Sequence, residues 1–131
     1  MADQRPRVLV VDDVPLFRQA VREAVEKAGG DVVAEAENGR QALYAYVESS
    51  PDIVFLDIMM PKMDGIAALR FLRKYNPDAR VIMCSSVRDS EMIFSAIQLG
   101  AMDFVPKPFT DERIASAMWR AWQFDQSRKD D

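Results

Sequence analysis

Histidine is absent from the 131 residues of this chain, and that zero excludes more function than any residue present. Without an imidazole there is no Ser-His-Asp or Cys-His catalysis, no histidine metal ligation, no histidine pH switch and no histidine phosphodonor within the chain. Cysteine is nearly as scarce: the single Cys84 removes any internal disulfide framework and any multi-cysteine zinc site. Long apolar runs are missing too. Nothing approaches the roughly 20 residues that span a bilayer, and the start, Met-Ala-Asp-Gln-Arg-Pro-Arg, has no apolar stretch after its positive charges, so it is no signal peptide. A reduced, cytoplasmic protein without membrane insertion is the expectation. Positive charge is also short. Seventeen Lys and Arg against 21 Asp and Glu leave a net charge of −4 and a pI near 4.9, the wrong sign for tracking nucleic-acid phosphates, so no direct nucleic-acid partner is expected.

What remains is a globular composition, 49% apolar and 29% charged, with too little Gly and Pro for a fibrous or disordered chain. A chain of this length buries roughly 68% of its extended surface, enough for one core. A single domain over 1–131 is expected, its core spanning about 7–126 between short polar tails. Three runs are almost continuously apolar, Val8 to Val11, Ile53 to Leu56 and Val81 to Cys84, as strands buried on both faces of a parallel sheet are. Asp31 to Glu37 and Met102 to Val105 are less uniform and read as edge strands. Segments of helical period lie between them. Phe17, Val21, Ala24, Val25 and Ala28 form one stripe, with Asp13 as the expected N-cap and Pro15 in the first turn. Asn38 and Gln41 have capping-box spacing at the start of 38–50. Asp64 is placed to cap 65–75, Ser90 to Leu99 stops at Gly100, and Thr110 opens a last helix to about Gln126.

Five β-α units in succession predict an α/β protein: a doubly wound five-stranded parallel sheet with five helices on its two faces. Ligands on such sheets sit beyond the carboxyl ends of the strands. To that edge the chain delivers Asp12-Asp13 after the first strand, Asp57 after the third, Ser85-Ser86 after the fourth and Lys107 after the fifth. Taken singly, Asp12-Asp13 reads as a turn and helix cap, Asp57 as a strand end, and Lys107 as a solvated charge. Their coincidence on one edge is what independent caps do not explain. Clustered carboxylates resist desolvation unless a cation joins them, and hard oxygens without histidine or thiolate suit Mg²⁺. A divalent ion, a lysine and a hydroxyl together favour a transferring phosphoryl group, with an aspartate able to accept it covalently.

The chain resembles the receiver domains of two-component response regulators. The resemblance rests on Val10-Val11-Asp12-Asp13, the block Phe55-Leu56-Asp57-Ile58-Met59-Met60-Pro61-Lys62-Met63-Asp64-Gly65, Cys84-Ser85-Ser86, Gly100-Ala101-Met102-Asp103-Phe104 and Lys107-Pro108-Phe109. It implies a flavodoxin-like strand order 2-1-3-4-5, the order that flavodoxin shares with a chemotaxis receiver, and a cis Lys107-Pro108 bond. It further implies that Asp57 is the phosphoacceptor, served by a partner histidine kinase or a small acyl phosphate. Mg²⁺ would be held by Asp13, Asp57 and the backbone carbonyl of Met59, with Asp12 acting mainly through a water. Lys107 and the Ser85 hydroxyl would each take a phosphoryl oxygen, and Phe104 would be the aromatic that turns into the space Ser85 vacates.

Met59 and Val87 occupy positions that tune water access in the resembled family; neither can orient an attacking water, which predicts slow autodephosphorylation. The resemblance thus implies self-catalysed phosphotransfer rather than enzyme activity on a substrate. Its usual partner or dimer surface is made by the fourth helix, fifth strand and fifth helix. Phe94 and Phe104 are expected there, with Trp119, which together with Phe124 widens the apolar arc of the last helix beyond the stripe of Ile114, Met118, Ala121 and Trp122. Internal packing is the competing explanation for Trp119. A downstream protein target is implied, a phosphorylation-dependent dimer stays open, and the Cys84-Ser85-Ser86 stretch resembles chemotaxis-type single-domain regulators. Two alternatives stand beside this: a receiver cut from a longer regulator with a DNA-binding or enzymatic output, and an aspartyl-nucleophile phosphatase, which would want an acid where Met59 stands. A flavodoxin-like nucleotide binder would want a phosphate loop in place of Val14-Pro15-Leu16.

Overall fold

A computed structural model describes residues 4–130, with side chains through 123. Strands β1 (Arg7–Val11), β2 (Asp31–Ala36), β3 (Ile53–Leu56), β4 (Val81–Ser85) and β5 (Asp103–Pro106) alternate with helices α1 (Pro15–Lys27), α2 (Gly39–Ser49), α3 (Gly65–Tyr75), α4 (Ser90–Gln98) and α5 (Asp111–Asp130). The strands form one parallel sheet in the order β2-β1-β3-β4-β5. This is the expected order, and the two runs read as edges are its edges.

The continuous apolar runs have a direct cause. Side chains alternate across a strand, and both faces here are covered. Val8, Val10, Ile53, Phe55, Ile82 and Cys84 pack on one side against Val21, Ala24 and Val25 of α1 and Ile114, Ala117 and Met118 of α5. Leu9, Val11, Val54, Leu56, Val81 and Met83 pack on the other against Ala42 and Tyr46 of α2, Leu69 and Leu72 of α3 and Ala96 of α4.

Three helix starts agree with the sequence pattern: the Asn38 side chain accepts from the Gln41 N–H, Asp64 from Ala67, and Thr110 from Arg113. The glutamine of the α2 box reaches one residue further back than expected, accepting from the Glu37 N–H at 3.0 Å. The α1 cap is a correction. Its N-cap is Val14, with no side-chain cap bond and Pro15 at the first turn; Asp13 instead contributes its carboxylate to the acidic group at the sheet edge. The last helix runs to Asp130, beyond the expected end near Gln126. The Lys107-Pro108 bond is cis. None of the described helices is long and apolar enough to cross a membrane.

Candidate functional site

Register builds the site. Val11 pairs with Leu56 at the ends of adjacent β1 and β3, and the Asp57 N–H donates to the Val11 carbonyl at 3.1 Å, so Asp12 and Asp57 leave the sheet side by side. On the other side β4 pairs with β5, Ser85 opposite Pro106, and the Lys107 N–H donates to the Ser85 carbonyl at 2.9 Å. With β3 paired to β4 between them, three strand pairings thus bring residues 12, 57, 85 and 107 to one point.

Carboxylate oxygens of Asp12, Asp13 and Asp57 lie within 4.8 Å of one another. Asp12 and Asp57 are buried, at 2% and 4% exposure, and so is Lys107, at 6%. Lys107 Nζ stands 2.7 Å from Asp12 Oδ2 and 3.3 Å from Asp57 Oδ2, with the Phe17 ring centroid 4.1 Å away. Three carboxylates against one ammonium leave the cluster two negative charges in excess, matched by a divalent ion. An all-oxygen donor set without imidazole or thiolate fits Mg²⁺. The Asp57 Oδ1 atom faces the Met59 N–H at 3.4 Å. Ser85 is fully buried, its Oγ accepting from the Val87 N–H at 3.2 Å.

Burial, reinforced by the Asp12 charge, pushes the Asp57 carboxyl above its ordinary pKa, against the opposing pull of Lys107 and the Ser85 hydroxyl. Burial also works against the Lys107 charge, but the hydrogen bond to Asp12 and the fields of Asp57 and Asp12 outweigh it and hold the ammonium above its usual value. The sign for stability follows. A carboxyl with a raised native pKa binds protons more readily folded than unfolded, so its penalty is fully present above that pKa and is relieved as pH falls through it. In metal-free protein at neutral pH, Asp57→Asn is therefore expected to raise the melting temperature by about 2–8 °C. A lower melting temperature in the presence of a chelator would contradict this. Cys84 offers no rival nucleophile, since burial pushes its thiol up to about 12.

The sequence assigns no site role to several supporting residues, Gly65 among them despite its place in the matching block around Asp57. Phe17 reads as an ordinary member of the α1 stripe, yet its ring faces Lys107. Arg18 fixes the Asp12 carbonyl through a 2.7 Å bond and pairs with Glu35 at 3.1 Å. Gly65 sits where an added Cβ would collide with the Asp57 carbonyl oxygen, and Gly39 where one would collide with the Met63 carbonyl. These two glycines let the loop after β3 fold back under Asp57.

Among the residues expected at a partner surface, Phe94 is 61% exposed on α4 beside the exposed Ile97, and Phe104 is half-buried against the α2–α4 side. Trp119 is half-buried: its indole N–H donates to the Ala28 carbonyl at 3.1 Å and its ring packs against the core formed with α1 and α5, the internal packing that competes with a partner-surface role. The polar end of a tryptophan seeks an acceptor when buried, and the chain end of α1 supplies one. The side chain of Phe124 lies outside the described residues.

A five-stranded parallel sheet of this order, with an acid trio and a lysine on its carboxyl edge, defines a response regulator receiver. The chain belongs to that family: the family model of the response regulator receiver domain matches residues 8–118. It is 47% identical over 112 residues to the chemotaxis protein CheY of Bacillus subtilis (strain 168), covering 86% of this chain and 93% of that protein. Against CheY of Thermotoga maritima it is 44% identical over 112 residues, covering 86% and 93%. A solved complex of CheX, CheY, BeF3 and Mg²⁺ from Borrelia burgdorferi superposes with a TM-score of 0.85 at 30% identity, covering 88% of each chain.

Proposed function

We propose that this chain is a single-domain, cytoplasmic receiver of the chemotaxis type that accepts a phosphoryl group on Asp57 from a partner histidine kinase and signals by binding a protein target. The observation that carries this is Lys107 held at 2.7 and 3.3 Å from Asp12 and Asp57, with Asp13 completing the acidic group. The likeness to CheY proteins over nearly their whole length supports the chemotaxis assignment.

Asp12, Asp13, Asp57 and the Met59 backbone carbonyl would hold Mg²⁺. Bound there, the ion would neutralise charge on the phosphoryl oxygens. An Asp57 carboxylate oxygen attacks phosphorus; the P–O bond forms as the donor's P–N bond breaks, and the departing imidazole nitrogen keeps the electron pair and takes a proton from water. Lys107 then exchanges its bond to Asp12 for a phosphoryl oxygen, staying over Phe17, which shields it from solvent. Ser85, whose hydroxyl already pulls on the Asp57 carboxyl, turns toward a phosphoryl oxygen. Phe104, half-buried, follows Ser85 inward, and α4 with Phe94 presents the altered surface. The chain transfers the group to itself and turns over no other substrate. A phosphorylation-dependent dimer would use the same α4 and β5 edge.

Return to the unmodified state requires water at phosphorus. Met59, 58% exposed, and half-buried Val87 flank Asp57 without a polar side-chain atom to orient that water. The acyl phosphate formed with acetyl phosphate and Mg²⁺ is accordingly expected to decay over minutes or longer after the donor is removed, followed by intact mass. A half-life of seconds would contradict this reading.

A further inference from the structure

We propose that Arg88 is a positioning residue that couples Lys107 to the start of α4, carrying a displacement at the phosphoryl site to the exposed Phe94 and Ile97. The proposal rests on the reading of Asp57, Ser85 and Lys107 as that site. Arg88 lies in the loop between β4 and α4, and its guanidinium bridges two loops. Nη2 donates to the Lys107 carbonyl at 2.7 Å, and Nη1 to the carbonyls of Ser86 at 3.3 Å and Val87 at 3.5 Å. These three acceptors are main-chain oxygens rather than carboxylates, so the rigid fork senses where the backbone is rather than what charge it carries.

The neighbouring residue completes the linkage. Asp89 is the N-cap of α4, its Oδ1 accepting from the N–H groups of Glu91 at 2.8 Å and Met92 at 3.4 Å. Successive residues are thus anchored at opposite ends, Arg88 on Lys107 and Asp89 on the first turn of α4. The loop is also held by the Val87 N–H on Ser85 Oγ and by the Val87 side chain against the core. Turning the Ser85 hydroxyl toward a phosphoryl oxygen weakens that hydrogen bond and leaves Arg88 as the polar tie between the loop and the site. A shift of Lys107 from Asp12 toward the phosphoryl group then moves its carbonyl, and Arg88 moves the cap of α4 with it.

The test uses the full chain with Mg²⁺ and beryllofluoride, a phosphoryl mimic that does not hydrolyse, and compares wild type, R88A and R88K by backbone amide NMR over residues 86–98. R88A is expected to bind beryllofluoride within about threefold of wild type, short of the tenfold that about 1.4 kcal/mol would produce. Its binding-induced shifts across 90–98 should nevertheless fall to less than about half the wild-type size, a loss of coupling rather than of binding. R88K keeps a donor for the Lys107 carbonyl without the fork and should recover an intermediate response. Wild-type shifts in R88A would overturn the proposal. So would loss of beryllofluoride binding in R88A, which would place Arg88 in the site itself. Failure of the wild type to bind would instead contradict the phosphoryl-site reading, and this proposal with it.

Discussion

Lys107→Ala is expected to cost the metal-free protein about 3–5 kcal/mol at neutral pH, the penalty for removing one partner of a buried charge cluster. The substitution leaves Asp12 and Asp57, both nearly fully buried, facing each other and Asp13 with no cation between them, and it empties the space beneath the Phe17 ring. The loss has a pH signature. Asp57 already sits above its ordinary pKa through burial and the Asp12 charge, and Lys107 is the strongest pull in the other direction. Without it, protonation of Asp57 relieves the repulsion, so the stability gap between variant and wild type should narrow as pH falls from about 8 toward 5. Mg²⁺ should narrow it too, by supplying the missing positive charge. Urea unfolding at several pH values, with and without Mg²⁺, checks both; a gap independent of pH and of metal would contradict the electrostatic account.

Gly65→Ala is the second large effect. An added Cβ would overlap the Asp57 carbonyl oxygen and lie 2.7 Å from Ile58 Cα, both backbone atoms with no rotamer to yield. The 2.7 Å bond from the Gly65 N–H to the Ile58 carbonyl closes this turn, and relieving the clash must open it. A cost of about 3 kcal/mol is expected, at the upper end for overpacking a filled interior, together with impaired phosphorylation because the carboxylate of Asp57 rides on the displaced peptide. Stability within about 0.5 kcal/mol of wild type and normal uptake would show that the loop has more room than its packing implies.

The sheet was legible in the sequence because both of its faces are covered: runs such as Val8 to Val11 and Ile53 to Leu56 are apolar without alternation for that reason alone. The edge chemistry was legible because strand ends are short and polar residues there have few other uses. What escaped depends on contacts between distant segments. The α1 cap is one such case: Val14 takes the position expected of Asp13, whose carboxylate joins Asp12 and Asp57, as the resemblance implies, once β1 and β3 pair. Trp119 looks like surplus on a helical wheel, but the wheel cannot show that Gly29, at φ +98° and with only the Trp119 ring near its open side, leaves room for the indole to reach the Ala28 carbonyl. Arg88 belongs to no motif, and its partner lies 19 residues further along the chain.

Intact mass spectrometry after incubation with acetyl phosphate tests the central claim most directly. With Mg²⁺ the wild type is expected to gain a single phosphoryl adduct, with a chelator none, and Asp57→Asn none under either condition. An adduct that persists undiminished in Asp57→Asn, or that never forms on the wild type in Mg²⁺, would contradict the assignment of Asp57 as the phosphoryl acceptor.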